Sequence, residues 1–234
     1  MSTTPQDDAK RAAGEQAARL ADNGMRLGLG TGSTTAYALQ ALGRRVVEEG
    51  LQIEGVPTSF AAERLARQVG LPLTTLDQDT HLHLAFDGAD EVDPHLHLTK
   101  GRGAAQAREK VVAAQADRFV VLADDSKLVE RLGTRMPLPV EVLPMAVGPV
   151  RDALERAGGR VDLRMGQRKD GPVITDQGLW VLDVHFEGGI VDPEGLNAHL
   201  NALPGVLDHG LFIGLAHQVI IGEIGGGVRM LQRA

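Results

Sequence analysis

The sequence contains no cysteine and few aromatic residues. Without cysteine the chain cannot form disulfide bonds, thiolate zinc sites or a cysteine nucleophile. This composition fits a reducing compartment, and we expect a cytoplasmic protein. Aromatic residues make up only 3% of the chain, so Leu, Val, Ile and Ala must form the core.

Long apolar runs and clusters of basic residues are also missing. No apolar run reaches the length of a membrane-spanning helix, and the opening MSTTPQDDAKRAAGEQ lacks the apolar core of a signal peptide. The net charge is −7, with no run of Lys or Arg, whereas nucleic-acid binding needs a basic surface. We therefore expect neither a membrane nor a nucleic acid as a partner.

The remaining composition is that of a globular protein. Hydrophobic residues account for 43% and charged residues for 24% of a chain of 234 residues, which is long enough to bury a core. The 29 glycines favour many turns and allow the backbone to approach a ligand closely.

Strand and helix patterns alternate along the first two thirds of the chain, which predicts an α/β fold. Strands separated by helices favour a Rossmann-like, mostly parallel sheet with helices on its faces. Ser59 is expected to cap one of the helices, which ends at Gly70. The other predicted helices are 7–22, 33–49 and 104–116, and the predicted strands are 25–30, 51–57, 72–76, 82–86, 95–99 and 118–123.

The pattern changes near Gly133. The order of elements beyond it predicts a small α+β (ferredoxin-like) domain inserted at 134–204, while 1–133 and 205–234 form the Rossmann-like domain. The tail HQVIIGEIGGGVRML is expected to return to the main sheet. The predicted elements are strand 138–143, helix 149–158, extended stretches 160–165 and 172–185 with a hairpin around 176–178, helix 193–203 and a strand from 206.

A glycine-rich segment, GLGTGSTT at 28–35, follows the first predicted strand and opens a helix. Its exposed N–H groups and the helix dipole attract an anion, and the hydroxyls of Thr31, Ser33 and Thr34 suit a phosphate. The segment has neither the Walker ending nor the full dinucleotide fingerprint. The alternative is a tight turn with Ser33 as the helix cap.

Four carboxylates occur within the seven residues DGADEVD, at 87–93. They follow a predicted strand, where parallel sheets place active sites. Because the four negative charges repel one another, such a cluster indicates a nearby cation that offsets the charge or a functional role for the carboxylates. The alternative is a solvated acidic turn. A calcium loop does not fit, because the spacing differs from that of an EF-hand.

The segment KGRGAAQAREK, at 100–110, again combines a strand end, glycines and a helix start. Lys100 is expected to direct its charge into a cleft. Glu109 shares a helix face with Ala105 and Val112, and partial desolvation there would raise its pKa and make it a better proton acceptor. The alternative is a structural pair with Arg108, Arg102 or a neighbouring helix.

Lys127 follows another predicted strand, within ADDSK at 123–127, either as a second cation for the same cleft or as part of a solvated loop.

The His-Leu-His pairs at 81–83 and 95–97 have a spacing that can bind metal. Because the alternating leucines explain them as amphipathic strands, we expect no metal site.

Together these segments resemble the ribose-5-phosphate isomerase family, type A. The order and spacing of DGADE, KGxGAA and a following Glu carry the resemblance, which spans nearly the whole chain. PLPVEVLPMA, GGRVDLRMG, ITDQGLWVLDVHF and NALPGV also resemble the family.

The resemblance implies interconversion of D-ribose 5-phosphate and D-ribulose 5-phosphate through an enediol(ate), in the non-oxidative pentose phosphate pathway, without metal or cofactor. Glu109 corresponds to the base that moves a proton between C2 and C1, and Asp87, Asp90 and Lys100 correspond to polar groups around the open-chain sugar. The implied substrate contacts are Thr31, Gly32, Ser33, Thr34, Asp87, Gly88, Ala89, Asp90, Lys100, Gly101, Arg102, Gly103 and Lys127. Lys10 is a further candidate for the phosphate.

The family also implies a homo-oligomer, either a dimer or a tetramer, with contacts through the small domain. Arg102 stands where many relatives of the family carry Gly; it lies either at the rim of the site or in solvent. A non-catalytic sugar-phosphate sensor would need a DNA-binding element, and a nicotinamide oxidoreductase would need a fuller glycine fingerprint. Glu109 and Lys100 argue against a purely binding role.

Overall fold

The structure is a computed structural model that describes residues 4–77, 79–225 and 227–233. The chain forms two compact units. The first comprises Met1–Ala89, Arg108–Leu128 and Leu215–Ala234, and the second comprises Asp90–Ala107 and Val129–Gly214. The second unit thus contains the expected 134–204 domain together with 90–107 and short flanking stretches. The chain passes between the units inside two of the candidate segments, after Ala89 and after Ala107.

The helices and strands follow one another in the predicted alternation. The helices are α1 (Pro5–Ala18), α2 (Ser33–Glu49), α3 (Phe60–Gln68), α4 (Gln106–Ala114), α5 (Val147–Arg156) and α6 (Pro193–Ala202). The strands are β1 (Arg26–Leu29), β2 (Glu54–Pro57), β3 (Leu84–Gly88), β4 (Glu91–Val92), β5 (Leu98–Thr99), β6 (Phe119–Asp124), β7 (Leu138–Val142), β8 (Gly159–Leu163), β9 (Trp180–Phe186), β10 (Val206–His209), β11 (Leu211–Phe212), β12 (Gln218–Gly222) and β13 (Val228–Gln232).

The first unit is built on a six-stranded sheet of order β13-β12-β6-β3-β1-β2. All neighbouring pairs are parallel except β12 with β13, which confirms the Rossmann-like sheet and the return of the tail. Gly226, within that tail, lies outside the described residues. Leucine and alanine dominate the buried core, as the low aromatic content requires. Its fully buried large side chains include Leu27, Leu29, Leu39, Leu42, Phe86 and Leu122.

The second unit contains an antiparallel sheet of order β10-β7-β9-β8, with α5 after β7 and α6 after β9. This βαββαβ order confirms the ferredoxin-like arrangement. The alternate residues Leu138, Val140 and Val142 of β7 point into the core, as period-two burial demands. A separate three-stranded sheet, β11-β5-β4, belongs to the same unit.

Two predicted strands, 72–76 and 95–99, were wrong in extent or in pairing. Residues 72–76 form no strand and make only a bridge between Gly55 and Leu73, since Pro72 has no N–H to donate. The predicted strand 95–99 shrinks to β5, which pairs antiparallel in the second unit. The Asp93 carboxylate accepts the N–H groups of His95 and His97, so a turn replaces the first part of that strand.

The stretch 172–185 becomes a regular strand only at Trp180. Before it, the predicted hairpin is a tight turn closed by hydrogen bonds between Thr175 and Leu179, with Gly178 at φ +79°. The predicted helix 33–49 matches α2, and the Ser59 hydroxyl caps α3 by accepting the N–H of Ala62 at 3.0 Å. Among the described residues, no helix is long and apolar enough to cross a membrane.

Candidate active site

Three of the predicted segments lie at one edge of the first unit's sheet. The strands β1, β3 and β6 are parallel neighbours, and their registers pair Leu29 with Phe86 and Gly88 with Leu122. The carboxyl ends of these strands therefore lie side by side, which is where parallel sheets place their ligands. Thr31, Asp87 and Lys127 follow or end these strands.

The glycine-rich turn after β1 approaches the end of β3 closely. A Cβ on Gly30 would lie 2.4 Å from the carboxyl carbon of Asp87, so no larger residue fits without displacement. Gly32 has φ +115° and begins α2, without a side-chain hydrogen bond to cap the helix. The alternative role of Ser33 as the cap is therefore wrong. The exposed residues Gly32 and Ser33 open a helix of 17 residues whose first N–H groups suit an anion.

Asp87 joins this turn to β3. Its Oδ1 accepts the N–H of Thr31 at 2.9 Å and that of Gly88 at 2.7 Å, and its side chain is almost fully buried. Thr34 is buried behind the turn. The structure thus brings Thr31 and Asp87 into direct contact within the first unit.

Two further hydroxyls that the sequence reasoning missed contact the turn. The Thr31 hydroxyl lies 2.8 Å from that of Thr58 and 2.7 Å from that of Ser59, both of which are buried. These residues directly follow β2, the neighbour of β1. The general rule that sites lie at carboxyl ends of parallel strands could have identified them.

Glu109 is 6% exposed and lies in the first turn of α4, because the helix begins at Gln106 and not at 104. A carboxylate there is favoured by the helix dipole. It shares a face with Val112, three residues later, whose Cγ1 would lie 2.4 Å from a Cβ on Gly28. Because α4 leads towards the start of β6, its first turn points to the carboxyl edge of the sheet.

Lys127 ends a short 3₁₀ turn that directly follows β6. Asp124 caps that turn through the backbone N–H and the hydroxyl of Ser126. Burial works to raise the pKa of Asp124, but the hydrogen bonds from Ser126 and Gln6 and the charge of Lys127 together lower it. Gln6 lies one turn before Lys10 on α1 and is 3.4 Å from Asp124, so Lys10 occupies the helix face that meets this edge.

Gly88 and Ala89 belong to the first unit, whereas the remaining candidates, Asp90 and residues 100–103, lie in the second unit. Lys100 is 3% exposed, and its ammonium lies 5.5 Å from the centre of the Phe212 ring. The turn after it has Gly101 at φ +96° and Ala104 at φ +58°, closed by a hydrogen bond from the Ala104 N–H to the Gly101 carbonyl. Arg102 and Gly103 are exposed at its tip. The Arg102 N–H donates to Oδ2 of Asp90 at 3.0 Å.

The other two of the four clustered carboxylates, Glu91 and Asp93, also accept hydrogen bonds from the backbone. Glu91 is 1% exposed and accepts the Thr99 hydroxyl and the N–H groups of Gly133, Arg135 and Met136. Asp93 holds the turn described above. Backbone donors thus compensate the charge, and a solvated acidic turn is not what the segment forms.

The histidine pairs have ordinary partners. His81 contacts the Asp117 carboxylate at 2.8 Å, and His83 Nδ1 accepts the N–H of Arg26. Across the part of the chain that the structure describes, no three His, Asp or Glu side chains cluster as a metal ion would require. An open cleft of about 480 Å³ in the second unit, lined by Phe186, Leu196 and His199 among others, contains none of the predicted site residues.

The comparison with protein families gives one clear match. The family model of ribose 5-phosphate isomerase A (phosphoriboisomerase A) matches residues 54–226. The ribose-5-phosphate isomerase A of Nostoc sp. is 52% identical to this chain over 225 residues, which cover 96% of this chain and 95% of that protein.

Solved structures give the same result. The ribose 5-phosphate isomerase A of Methanocaldococcus jannaschii superposes with a TM-score of 0.93 at 44% identity, over 97% of this chain and 99% of its own. A D-ribose-5-phosphate isomerase in complex with phospho-erythronic acid has a TM-score of 0.93 at 43% identity, over 96% and 98% of the two chains.

Proposed function

We propose that this chain, which belongs to the ribose 5-phosphate isomerase A family, interconverts D-ribose 5-phosphate and D-ribulose 5-phosphate. The observation that carries the proposal is the buried carboxylate of Glu109 in the first turn of α4, the end of that helix that lies towards the sheet edge holding Thr31 and Asp87. An aldose–ketose isomerase needs such a base beside groups that hold an open-chain sugar.

The phosphate binds at the glycine-rich turn. The uncapped start of α2 offers N–H groups and a positive helix dipole, and the exposed Ser33 adds a hydroxyl. Lys127 and Lys10 supply positive charge from the end of β6 and from α1. Binding energy from the phosphate, remote from the reacting carbons, fixes the sugar for the chemical step.

Glu109 removes the proton from C2 of the aldose and returns it to C1, through an enediol(ate). Its burial supports this role, because a desolvated carboxylate accepts a proton more readily near neutral pH. Lys100 stabilises the negative charge that develops on the substrate oxygen. Asp87 and Asp90 hold the sugar hydroxyls, and one of the two carboxylates moves hydroxyl protons.

The proposal extends to the setting of the enzyme. We place the reaction in the non-oxidative pentose phosphate pathway, in the cytoplasm, with a homo-oligomer formed through the second unit. Met145, Val191 and Leu207 of that unit are exposed apolar side chains, which supports a contact there. Light scattering at several protein concentrations gives the oligomeric state, and a monomer throughout would contradict this part.

The test is a coupled assay that follows conversion of ribose 5-phosphate to ribulose 5-phosphate in the presence of EDTA. We expect full turnover with EDTA, since no step uses a metal. A folded protein that binds phospho-erythronic acid without turning over ribose 5-phosphate would instead support a sugar-phosphate sensor. Loss of activity in EDTA that added metal restores would contradict the metal-independent mechanism.

A further inference from the structure

Arg164 makes four hydrogen bonds to two different parts of the second unit. Its Nη1 donates to the carbonyl oxygens of Gly101 at 3.0 Å and Arg102 at 3.1 Å. Its Nε and Nη2 donate to the two carboxylate oxygens of Asp183. The planar guanidinium suits this forked geometry, which a lysine cannot reproduce.

A rigid sheet holds the guanidinium in place. Arg164 directly follows β8, which pairs with β9, the strand that carries Asp183. The main chain of Arg164 is fixed by hydrogen bonds to Val181 at 2.9 Å and from Val173 at 2.8 Å. The side chains of Arg164 and Asp183 are only 15% and 17% exposed, so solvent screens the ion pair weakly.

The turn that Arg164 contacts has an unusual backbone. Gly101 has φ +96°, and Ala104 has φ +58°, a conformation that residues with a Cβ rarely adopt. Such a turn persists only when its surroundings hold it. Asp90 accepts the N–H of Arg102 on one side, and Arg164 donates to the carbonyls on the other.

We propose that Arg164 is a positioning residue that holds the Lys100–Gly103 turn in its substrate-binding conformation, and that Asp183 orients its guanidinium. This inference rests on the proposed function, because Lys100 and the turn are taken as substrate contacts. The hydrogen bond from the Lys100 N–H to the Gly210 carbonyl fixes the residue on one side, and the Arg164 contacts fix the peptides that follow it. Displacement of the turn would misplace the ammonium that acts on the developing charge.

The experiment compares Arg164→Lys and Asp183→Asn with the control Arg160→Lys. Arg160 lies on β8 and pairs with Asp162, but both side chains are more than half exposed and neither contacts the turn. Measurements are kcat and KM for ribose 5-phosphate, the thermal midpoint, and amide hydrogen exchange of the peptide that contains residues 100–105. The exchange measurement does not depend on turnover.

We expect Arg164→Lys to lower kcat/KM at least ~10-fold, mainly through kcat, and to speed exchange of the Arg102 and Ala104 amides. Asp183→Asn should change kcat/KM and amide exchange in the same direction but by less. Arg160→Lys should change neither quantity. An Arg164→Lys enzyme with wild-type kcat/KM would overturn the inference, whatever its thermal midpoint. Reduced kcat/KM with unchanged exchange would also overturn it, since the effect would not pass through the turn.

Failure of the proposed function gives a different result. In that case the wild-type protein itself does not turn over ribose 5-phosphate. A wrong role for Arg164 leaves the wild-type activity intact, so the two failures can be told apart. The exchange rates then still decide whether Arg164 orders the turn: equal rates in wild type and Arg164→Lys would overturn that part as well.

Discussion

The backbone N–H of Thr31 donates a hydrogen bond to Oδ1 of Asp87 at 2.9 Å, and this bond ties the glycine-rich turn to the end of β3. The same oxygen accepts the N–H of Gly88 at 2.7 Å. The glycine-rich turn and the carboxylate are therefore one rigid piece of the first unit, and a change at either should affect both binding and turnover.

Gly30→Ala should damage this piece. The added Cβ would meet the Asp87 carboxyl carbon and the Phe86 carbonyl oxygen, each at 2.4 Å, and both are held by the sheet. Overpacking of this kind costs about 1–3 kcal/mol, which lowers the thermal midpoint of a chain of this size by about 2–4 °C per kcal/mol. We expect kcat/KM to fall at least ~10-fold as the turn shifts, measured beside thermal unfolding.

Gly148→Ala is the matched control for this change. A Cβ at Gly148, in α5, meets nothing within 4 Å, and alanine has the better helix propensity, so stability should stay level or rise. If Gly30→Ala, like this control, left the thermal midpoint and kcat/KM unchanged, the close approach of Gly30 to Asp87 would not constrain the turn.

Substitutions in the acidic segment 87–93 should distinguish residues that act in catalysis from residues that stabilise the fold. Glu91→Gln replaces an oxygen that accepts backbone N–H groups with an NH₂, which leaves buried donors without partners. We expect it to cost about 2–3 kcal/mol of unfolding free energy, with near wild-type kcat in the folded fraction. Urea unfolding and active-site-normalised turnover measure the two effects.

Asp87→Asn should show the opposite separation. We expect at least a ~10-fold lower kcat, because the proposed mechanism needs the charge of Asp87 beside the sugar, with a smaller loss of stability than in Glu91→Gln. Equal effects of the two substitutions on kcat would show that the segment acts as one electrostatic cluster, contrary to this account.

Glu141 should make stability depend on pH. Burial raises the pKa of this carboxyl; the Thr175 hydroxyl works against the rise, and the charges of Asp208 and Asp176 add to it. Because the pKa of this carboxyl is raised in the folded state, folding favours its neutral form over its charged form. The contribution of neutral Glu141 to the free energy of unfolding is fully present below the unfolded-state pKa of about 4.3. It is lost as pH rises through the folded-state pKa.

Glu141→Gln, which mimics the neutral acid, should therefore be more stable than wild type at pH 8. The difference should shrink as pH falls towards 5. Urea unfolding across this range measures it, with the exposed Glu187→Gln as control. A difference that grew towards acidic pH would reverse the sign of the argument.

The sequence predicted the elements whose signals are local. Helix 33–49 has apolar residues at helical spacing and Gly50 in the left-handed conformation at its end, so its bounds were correct. The order of strands and helices was sufficient to predict the parallel sheet of the first unit, because parallel strands need helical crossovers, and the ferredoxin-like arrangement of the second unit.

Features that depend on particular side-chain hydrogen bonds, whether within one turn or between distant residues, were not predictable in this way. The carboxylate of Asp93 folds residues 93–97 into a turn that strand periodicity cannot reveal. Thr58 and Ser59 reach Thr31 only because β1 and β2 are neighbours. The contacts of Arg164 with Gly101 and Arg102 likewise need the folded sheet of the second unit.

The most direct test is the kcat of Glu109→Gln on ribose 5-phosphate, with calorimetric binding of phospho-erythronic acid as the control for an intact site. The account predicts at least a ~10²-fold loss of kcat with binding retained, because glutamine keeps the shape of the side chain but cannot accept the C2 proton. Activity that survived within a few-fold of wild type would contradict the assignment of Glu109 as the base.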